Sequence, residues 1–327
     1  MLSLRRGTVT AVTERLDGLV RLEVDRRPCV AYPRLTGPVA LGDDVVVNVQ
    51  AVELGLGSGG FDVLYVNLTR GLDLPAEPGA HVMKLPYTPL QQAVRHAEED
   101  GAQREMLGGL PVVCCLLHSQ VAPVVAGLGG NLNVAYVQVP GGALPVSLSD
   151  TVRALRDRGL VSRTVAVGAC FDADVACVST ASALVWAAEQ GFGAVVCSIG
   201  PGIVGTASPW GHGGLAAAEA ATTARALGGT PVLAVRYSQA DPRERHRGLS
   251  HHTRAALALA GAVEIGWPRG LDLPEGLDDV ARVDVAGWEE ACEGLPLAHM
   301  GRGPGEDPWF FAAAYAAGKR ARSLAAA

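Results

Sequence analysis

The chain has 327 residues, of which 49% are apolar and only 5% aromatic, and it carries a net charge of −6. That length and apolar content build a large core and exclude a disordered chain; the negative balance argues against a general nucleic-acid binder. Seven cysteines form no C-x-x-C pair, and the first residues hold no apolar leader core, so a reducing, cytoplasmic setting is expected.

Residues 1–68 read as a small all-β unit. Two β-branched runs, 7–14 and 19–25, flank Asp17-Gly18, a hairpin turn signal. Further strands are expected at 29–32, around 45–49 and at 61–67. The Gly-rich run 54–60 is expected to be a turn with positive φ rather than a phosphate cradle, because no helix follows it. Small barrels can bind oligonucleotides, but this one has neither an aromatic platform nor a basic stripe. Residues 69–80, with two prolines and two glycines, read as a linker.

From residue 81 to 327 short apolar runs alternate with helical patterns, the rhythm of βαβ units in a Rossmann-like domain. Strands are expected at 81–85, 112–117, 133–139, 164–168, 194–199, 231–236, 262–266 and 281–285. Helices are expected at 89–99, 120–128, 149–158, 180–190, 215–227, 251–260, 287–292 and 308–322. Between Glu105 and Asp150 no acidic or basic side chain occurs other than His118. Gly, Pro, Asn and Gln break that stretch below the roughly 20 residues a membrane helix needs, so it reads as buried parallel strands. The fold class is therefore α/β: a small N-terminal β-barrel-like domain followed by a doubly wound, mainly parallel α/β sandwich.

In such a sheet the ligand sits beyond the C-terminal ends of the strands, so the loops there are site candidates. The first holds Lys84. The second holds His118, whose tunable imidazole suits acid–base work, and Ser119. The fourth holds Asp172 and Asp174, a carboxylate pair for a metal or a base, or else a solvated loop. The fifth is long and Gly-rich: Gly200, Gly202, Thr206 and His212 precede a helix, an arrangement that suits an anion. It matches neither a phosphate-binding P-loop nor a dinucleotide fingerprint. The sixth is the densest polar stretch, R-Y-S-Q-A-D-P-R-E-R-H-R-G-L-S-H-H-T at 236–253, with four arginines against two acids. Arg236 and Arg247 offer forks for carboxylate or phosphate, with Asp241 among them. Ser250 is placed to cap a helix, putting His251 and His252 in its first turn. Adjacent helical residues diverge by about 100°, which predicts that these two do not share a ligand. His118, His246 and His251 are the expected proton-moving residues. A divalent metal on His246, His251 or His252, or on Asp172 and Asp174, is an alternative, although the spacing matches no standard zinc motif.

Several segments together resemble an uncharacterised bacterial family, the domain of unknown function numbered 3866. They are A-V-E-L-G-L-G-S-G-G at 51–60, H-V-M-K-L-P-Y-T-P-L-Q at 81–91, L-H-S-Q-V-A-P at 117–123, G-G-A-L-P at 141–145, G-P-G-I-V-G-T at 200–206 and H-R-G-L-S-H-H-T at 246–253. The resemblance supports the motif set and adds no reaction. The residues themselves point to an enzyme, a hydrolase or group transferase, acting on a small anionic metabolite. The alternatives are a non-catalytic ligand-binding or regulatory protein, or an adaptor using the N-terminal β-domain. So apolar a chain is also expected to form a homodimer, with no membrane partner and no nucleic acid.

Overall fold

The computed structural model describes residues 2–55, 59–101 and 105–326. The chain divides into two compact units, Met1–Val94 and Arg95–Ala327.

In the first unit five strands, β1 (Leu4–Leu16), β2 (Leu19–Val24), β3 (Arg27–Ala31), β4 (Asp44–Asn48) and β5 (Asp62–Asn67), close into a barrel in the order β1-β2-β3-β5-β4. Two single-turn helices, α1 (Pro33–Thr36) and α2 (Gln50–Glu53), lie along the connections. Leu16 pairs with Leu19 across the Asp17-Gly18 turn, and Gly18 takes the positive φ of +74° that a tight hairpin turn demands. Strand alternation turns Leu22, Val24, Val45, Val47 and Leu64 into the barrel core. In the expected turn at 54–60, Gly55, Gly59 and Gly60 take φ of +62°, +96° and +66°, while residues 56–58 lie outside the described residues.

The expectation that 81–85 opens the parallel sheet is corrected. β6 (Val82–Lys84) instead pairs antiparallel with β7 (Gln92–Val94) in a separate two-stranded sheet, and the helix expected at 89–99 is reduced to a single 3-10 turn, Ala97–Asp100. The Thr88 hydroxyl explains why. It donates to the Leu85 carbonyl at 2.8 Å and accepts from the Leu90 amide at 3.3 Å, which turns the chain between Pro86 and Pro89 rather than capping a helix.

The second unit is the α/β sandwich. Its strands are β8 (Pro111–Cys115), β9 (Val134–Val139), β10 (Arg163–Val167), β11 (Val175–Cys177), β12 (Ala194–Ile199) and β13 (Thr230–Ala234). They form one sheet in the order β11-β10-β9-β12-β8-β13, with every pair parallel. Two small pairs follow, β14 (Tyr237–Ser238) with β15 (Gly248–Leu249), and β16 (Gly266–Pro268) with β17 (Ala281–Val283). The helices are α3 (Val121–Leu128), α4 (Asp150–Asp157), α5 (Thr180–Glu189), α6 (Ala216–Ala226), α7 (His251–Ala260), the short α8 (Trp288–Ala291) and α9 (Pro308–Ala325). No helix among the described residues is long and apolar enough to cross a membrane.

Because β8, β9 and β12 are buried on both faces, they are apolar at nearly every position. One core packs α3, α4 and the Ala-rich part of α9 on one face; the other packs α5, α6 and α7 on the opposite face. The connection leaving β8 thus goes to one face through α3, and that leaving its neighbour β12 goes to the other through α6. Where neighbouring connections part in this way, a crevice opens over the C-terminal strand ends.

Candidate functional site

Four loops meet over that crevice: those after β8, β9, β12 and β13. Gln120 joins two of them. Its side-chain amide donates to the carbonyls of Ala234 and Val235 at 2.9 and 2.8 Å, and its oxygen accepts from the Leu117 amide at 3.0 Å. The end of β13 is thereby fixed beside the end of β8.

His118 follows β8. Its Nδ1 lies 3.1 Å from the Ile199 carbonyl at the end of β12, and its Nε2 lies 2.6 Å from Ser149 Oγ. A carbonyl only accepts, so Nδ1 carries the proton and Nε2 presents its lone pair to the Ser149 hydroxyl. Ser149 is also the N-cap of α4 and accepts from the Val152 amide at 2.9 Å. Burial lowers the His118 pKa to about 4, against a smaller opposing effect of the Ile199 carbonyl, so the ring is neutral at neutral pH. A neutral imidazole oriented through Nδ1 and hydrogen-bonded through Nε2 to a hydroxyl is the arrangement that activates a nucleophilic oxygen.

The loop after β13 is pinned as a hairpin by β14 and β15. The Thr253 hydroxyl accepts from the Arg236 amide at 2.8 Å, and Ser250 N–H donates to the Arg236 carbonyl at 3.0 Å. Within the loop three guanidiniums converge on one carboxylate. Asp241 Oδ2 accepts from Arg236 at 3.2 Å, Arg243 at 2.8 Å and Arg302 at 3.3 Å. Asp241 and Arg236 are buried. Burial works against the Asp241 charge, but the Arg243 hydrogen bonds and the neighbouring cations hold its carboxyl well below the usual range. Arg236 is pulled down to about 10, chiefly by burial, and remains charged. Asp307 joins the network through Oδ2, accepting from Ser238 Oγ at 2.6 Å and Arg302 Nε at 3.3 Å, while its Oδ1 is buried without a partner among the described residues.

Beside the arginines lie the histidines. His212 stacks on His252 with ring centroids 3.7 Å apart, and His251 lies 4.5 Å from His252. His246 lies 4.7 Å from His251, and its Nδ1 is 2.7 Å from Ser250 Oγ. Arg236 donates to His252 Nδ1 at 3.1 Å. Burial, and after it the neighbouring cations, lower His246 to about 3 and His299 to about 3; His212, His251 and His252 shift the same way. All are therefore neutral near pH 7. The rings of His251 and His252 both lie beside that of His212, with centroids 5.8 and 3.7 Å away, because the first turn of α7 lies against the loop after β12.

The other expected residues are placed as follows. Thr206 is exposed. Its hydroxyl donates to the Gly211 carbonyl at 3.1 Å, which closes the turn that delivers His212. Gly200 has no room for a Cβ beside the Ala143 carbonyl, so its glycine has a packing reason; Gly202 sits at φ +73°. Arg247 is exposed, and its side chain reaches the Asp241 carbonyl at 3.4 Å. Ser119 Oγ lies 3.2 Å from His299 Nδ1. Asp174 accepts from Arg156 at 2.8 Å and from the Thr164 amide at 2.8 Å, which ties β10 to the loop before β11. Asp172, at φ +66°, belongs to that same loop. Lys84 is buried on β6, in the first unit.

Sequence reasoning missed His299, Arg302 and Asp307, and saw Ser149 only as a helix start. The first three stand in H-M-G-R-G-P-G-E-D, a polar, Gly-rich run of the kind that flagged the other loops. It follows no strand of the main sheet, so the strand-end rule did not point to it.

The family model described as a protein of unknown function, DUF3866, matches residues 28–318. The chain belongs to this family. The match to the DUF3866 family takes in every residue of the crevice named above, from His118 to Asp307. No curated protein matches the sequence.

Proposed function

We propose that the α/β unit is an enzyme, a hydrolase or group transferase, that acts on a small anionic metabolite bound over the C-terminal ends of β8, β12 and β13. The observation that carries this is the surplus of guanidinium around Asp241. Three arginines face two carboxylates, Asp241 and Asp307, at the edge of a buried loop. A positive surplus held partly out of water is costly until an anion joins it, and arginine forks match carboxylate or phosphate oxygens. His118 and Ser149 supply the chemistry: Nε2 takes the hydroxyl proton as Oγ attacks an acyl or phosphoryl centre, and returns it to the leaving group. A binding protein would need the arginines but not this pair.

The test is calorimetric titration with inorganic phosphate, acetate and a neutral analogue. Arg302 is the variant of choice because its side chain is 14% exposed, and its loss leaves Arg236 and Arg243 on Asp241. Phosphate should bind the wild type and bind Arg302→Gln roughly tenfold more weakly, as expected for loss of one charged hydrogen bond. Equal binding of the neutral analogue, or an unchanged Arg302→Gln affinity, would remove the assignment.

A further inference from the structure

The arginines account for an anion, but they leave the histidines unexplained. His212 is only 7% exposed, yet neither of its ring nitrogens has a hydrogen-bond partner among the described residues. His251 Nε2 is likewise buried and without a partner. A buried polar atom without a partner costs about 1–3 kcal/mol. Three such atoms side by side mark a place where something else is meant to bind. One potential ligand atom each from His212, His251 and His252 lies within 4.8 Å of the others. In a tetrahedral zinc site with bonds near 2.0–2.1 Å the nitrogens stand about 3.4 Å apart, so the rings need close by at most about 1.4 Å from a separation of 4.8 Å.

We propose that His212, His251 and His252 form a site for one divalent transition-metal ion of the zinc or cobalt class, with its remaining coordination position open. Three neutral imidazoles with an open fourth position are the donor set of a catalytic rather than a structural metal. The site deepens the anion-binding reading and rests on it for the group that fills the open position: an oxygen of the anion, or water. The arginines' donors hold the anion's other oxygens, and the histidine lone pairs hold the cation.

One contact opposes the ion. Arg236 donates to His252 Nδ1, which leaves the proton of a neutral ring on Nε2. The metal and Arg236 therefore compete for His252. When the ion binds, Arg236 must withdraw that donor while keeping its bond to Asp241. Thr206 gains a purpose here as well, because the turn it closes holds His212 against α7.

The test uses the full chain, stripped with a chelator and titrated with Co2+ near neutral pH, with visible absorption and bound-metal analysis as readouts. The expected result is one Co2+ per chain, showing the strong visible bands of four-coordination and displaced by Zn2+. Affinity should fall by roughly tenfold or more in His212→Ala and in His251→Ala. Arg236→Met, which removes the competitor, should bind Co2+ more tightly. Circular dichroism confirms that each variant is folded. Absence of a stoichiometric Co2+ spectrum in the wild type, or an unchanged spectrum in both histidine variants, would overturn the site. Phosphate binding provides the separation. Co2+ binding lost while phosphate still binds overturns the metal and leaves the anion crevice standing. Co2+ binding intact in Arg302→Gln, where phosphate binding is weakened roughly tenfold, supports the metal independently.

Discussion

Ser149 has one hydroxyl and two partners: it accepts from the Val152 amide and donates to His118. Ser149→Ala should therefore cost more than an ordinary cap. Loss of the cap alone is worth about 1 kcal/mol, and the deserted His118 lone pair adds to it. His118 itself makes a pH prediction. Its folded pKa, about 4, lies below the ordinary 6.5, so between those values the unfolded chain binds a proton that the folded chain refuses. Stability is then full above pH 6.5 and falls as the pH drops toward 4, by about 1.4 kcal/mol per pH unit for each histidine that behaves this way. The groups facing His118 are Ser149, Tyr136 and the Ile199 carbonyl; none is charged, so the sign stands. Urea midpoints at pH 7 and pH 5 test it: His118→Asn should lose less stability on acidification than the wild type. An equal loss in both would mean that His118 is not buried neutral.

At the scale of elements, α3 and α9 cross where two glycines meet. A Cβ on Gly318 would collide with the Val124 carbonyl, and one on Gly127 with the Tyr315 carbonyl. Neither position has positive φ, so the requirement is close approach rather than backbone freedom. Gly318→Ala should improve local helix propensity by up to about 1 kcal/mol yet destabilise the protein by about 1–3 kcal/mol through overpacking, as chemical denaturation would show. A gain in stability would mean that the helices do not cross this closely. The elements themselves were largely legible. β12 and α7 fall on the residues that apolar runs and the Ser250 cap predicted, because buried parallel strands and capped helices carry strong local signals. Local signals failed where pairing decides. Val175–Cys177 is too short to announce an edge strand, and 81–85 has a strand's pattern whichever neighbour it takes. The crossing of α3 and α9 joins residues nearly 200 apart, which no periodicity records.

For the molecule as a whole, the stretch from Arg236 to Thr253 was readable as a candidate site because it is a polar island after a buried strand. Its partners were less so: His212 arrives from the preceding crossover, and Arg302 and Asp307 return from the C-terminal side. Asp174 shows the converse, since its carboxylate met the chemical requirement for a ligand and is spent on Arg156 and Thr164. The same contrast between local and global governs charge. The chain carries −6 overall, which would repel an anion at long range, while the three guanidiniums around Asp241 would attract one within the crevice. Salt separates the two fields, because the Debye length contracts from about 30 Å at 0.01 M to about 10 Å at 0.1 M. Screening the distant negative charge would strengthen anion binding; screening the nearby arginines would weaken it. The arginines are closer and lie against low-dielectric protein, so their field dominates at the site. Phosphate affinity should therefore fall by a few-fold as potassium chloride rises through this range, and fall less steeply in Arg302→Gln, which has one charge fewer to screen. Calorimetry at several salt concentrations reads the sign directly. Affinity that rises with salt would place the anion under the field of the whole molecule, away from Asp241 and its arginines.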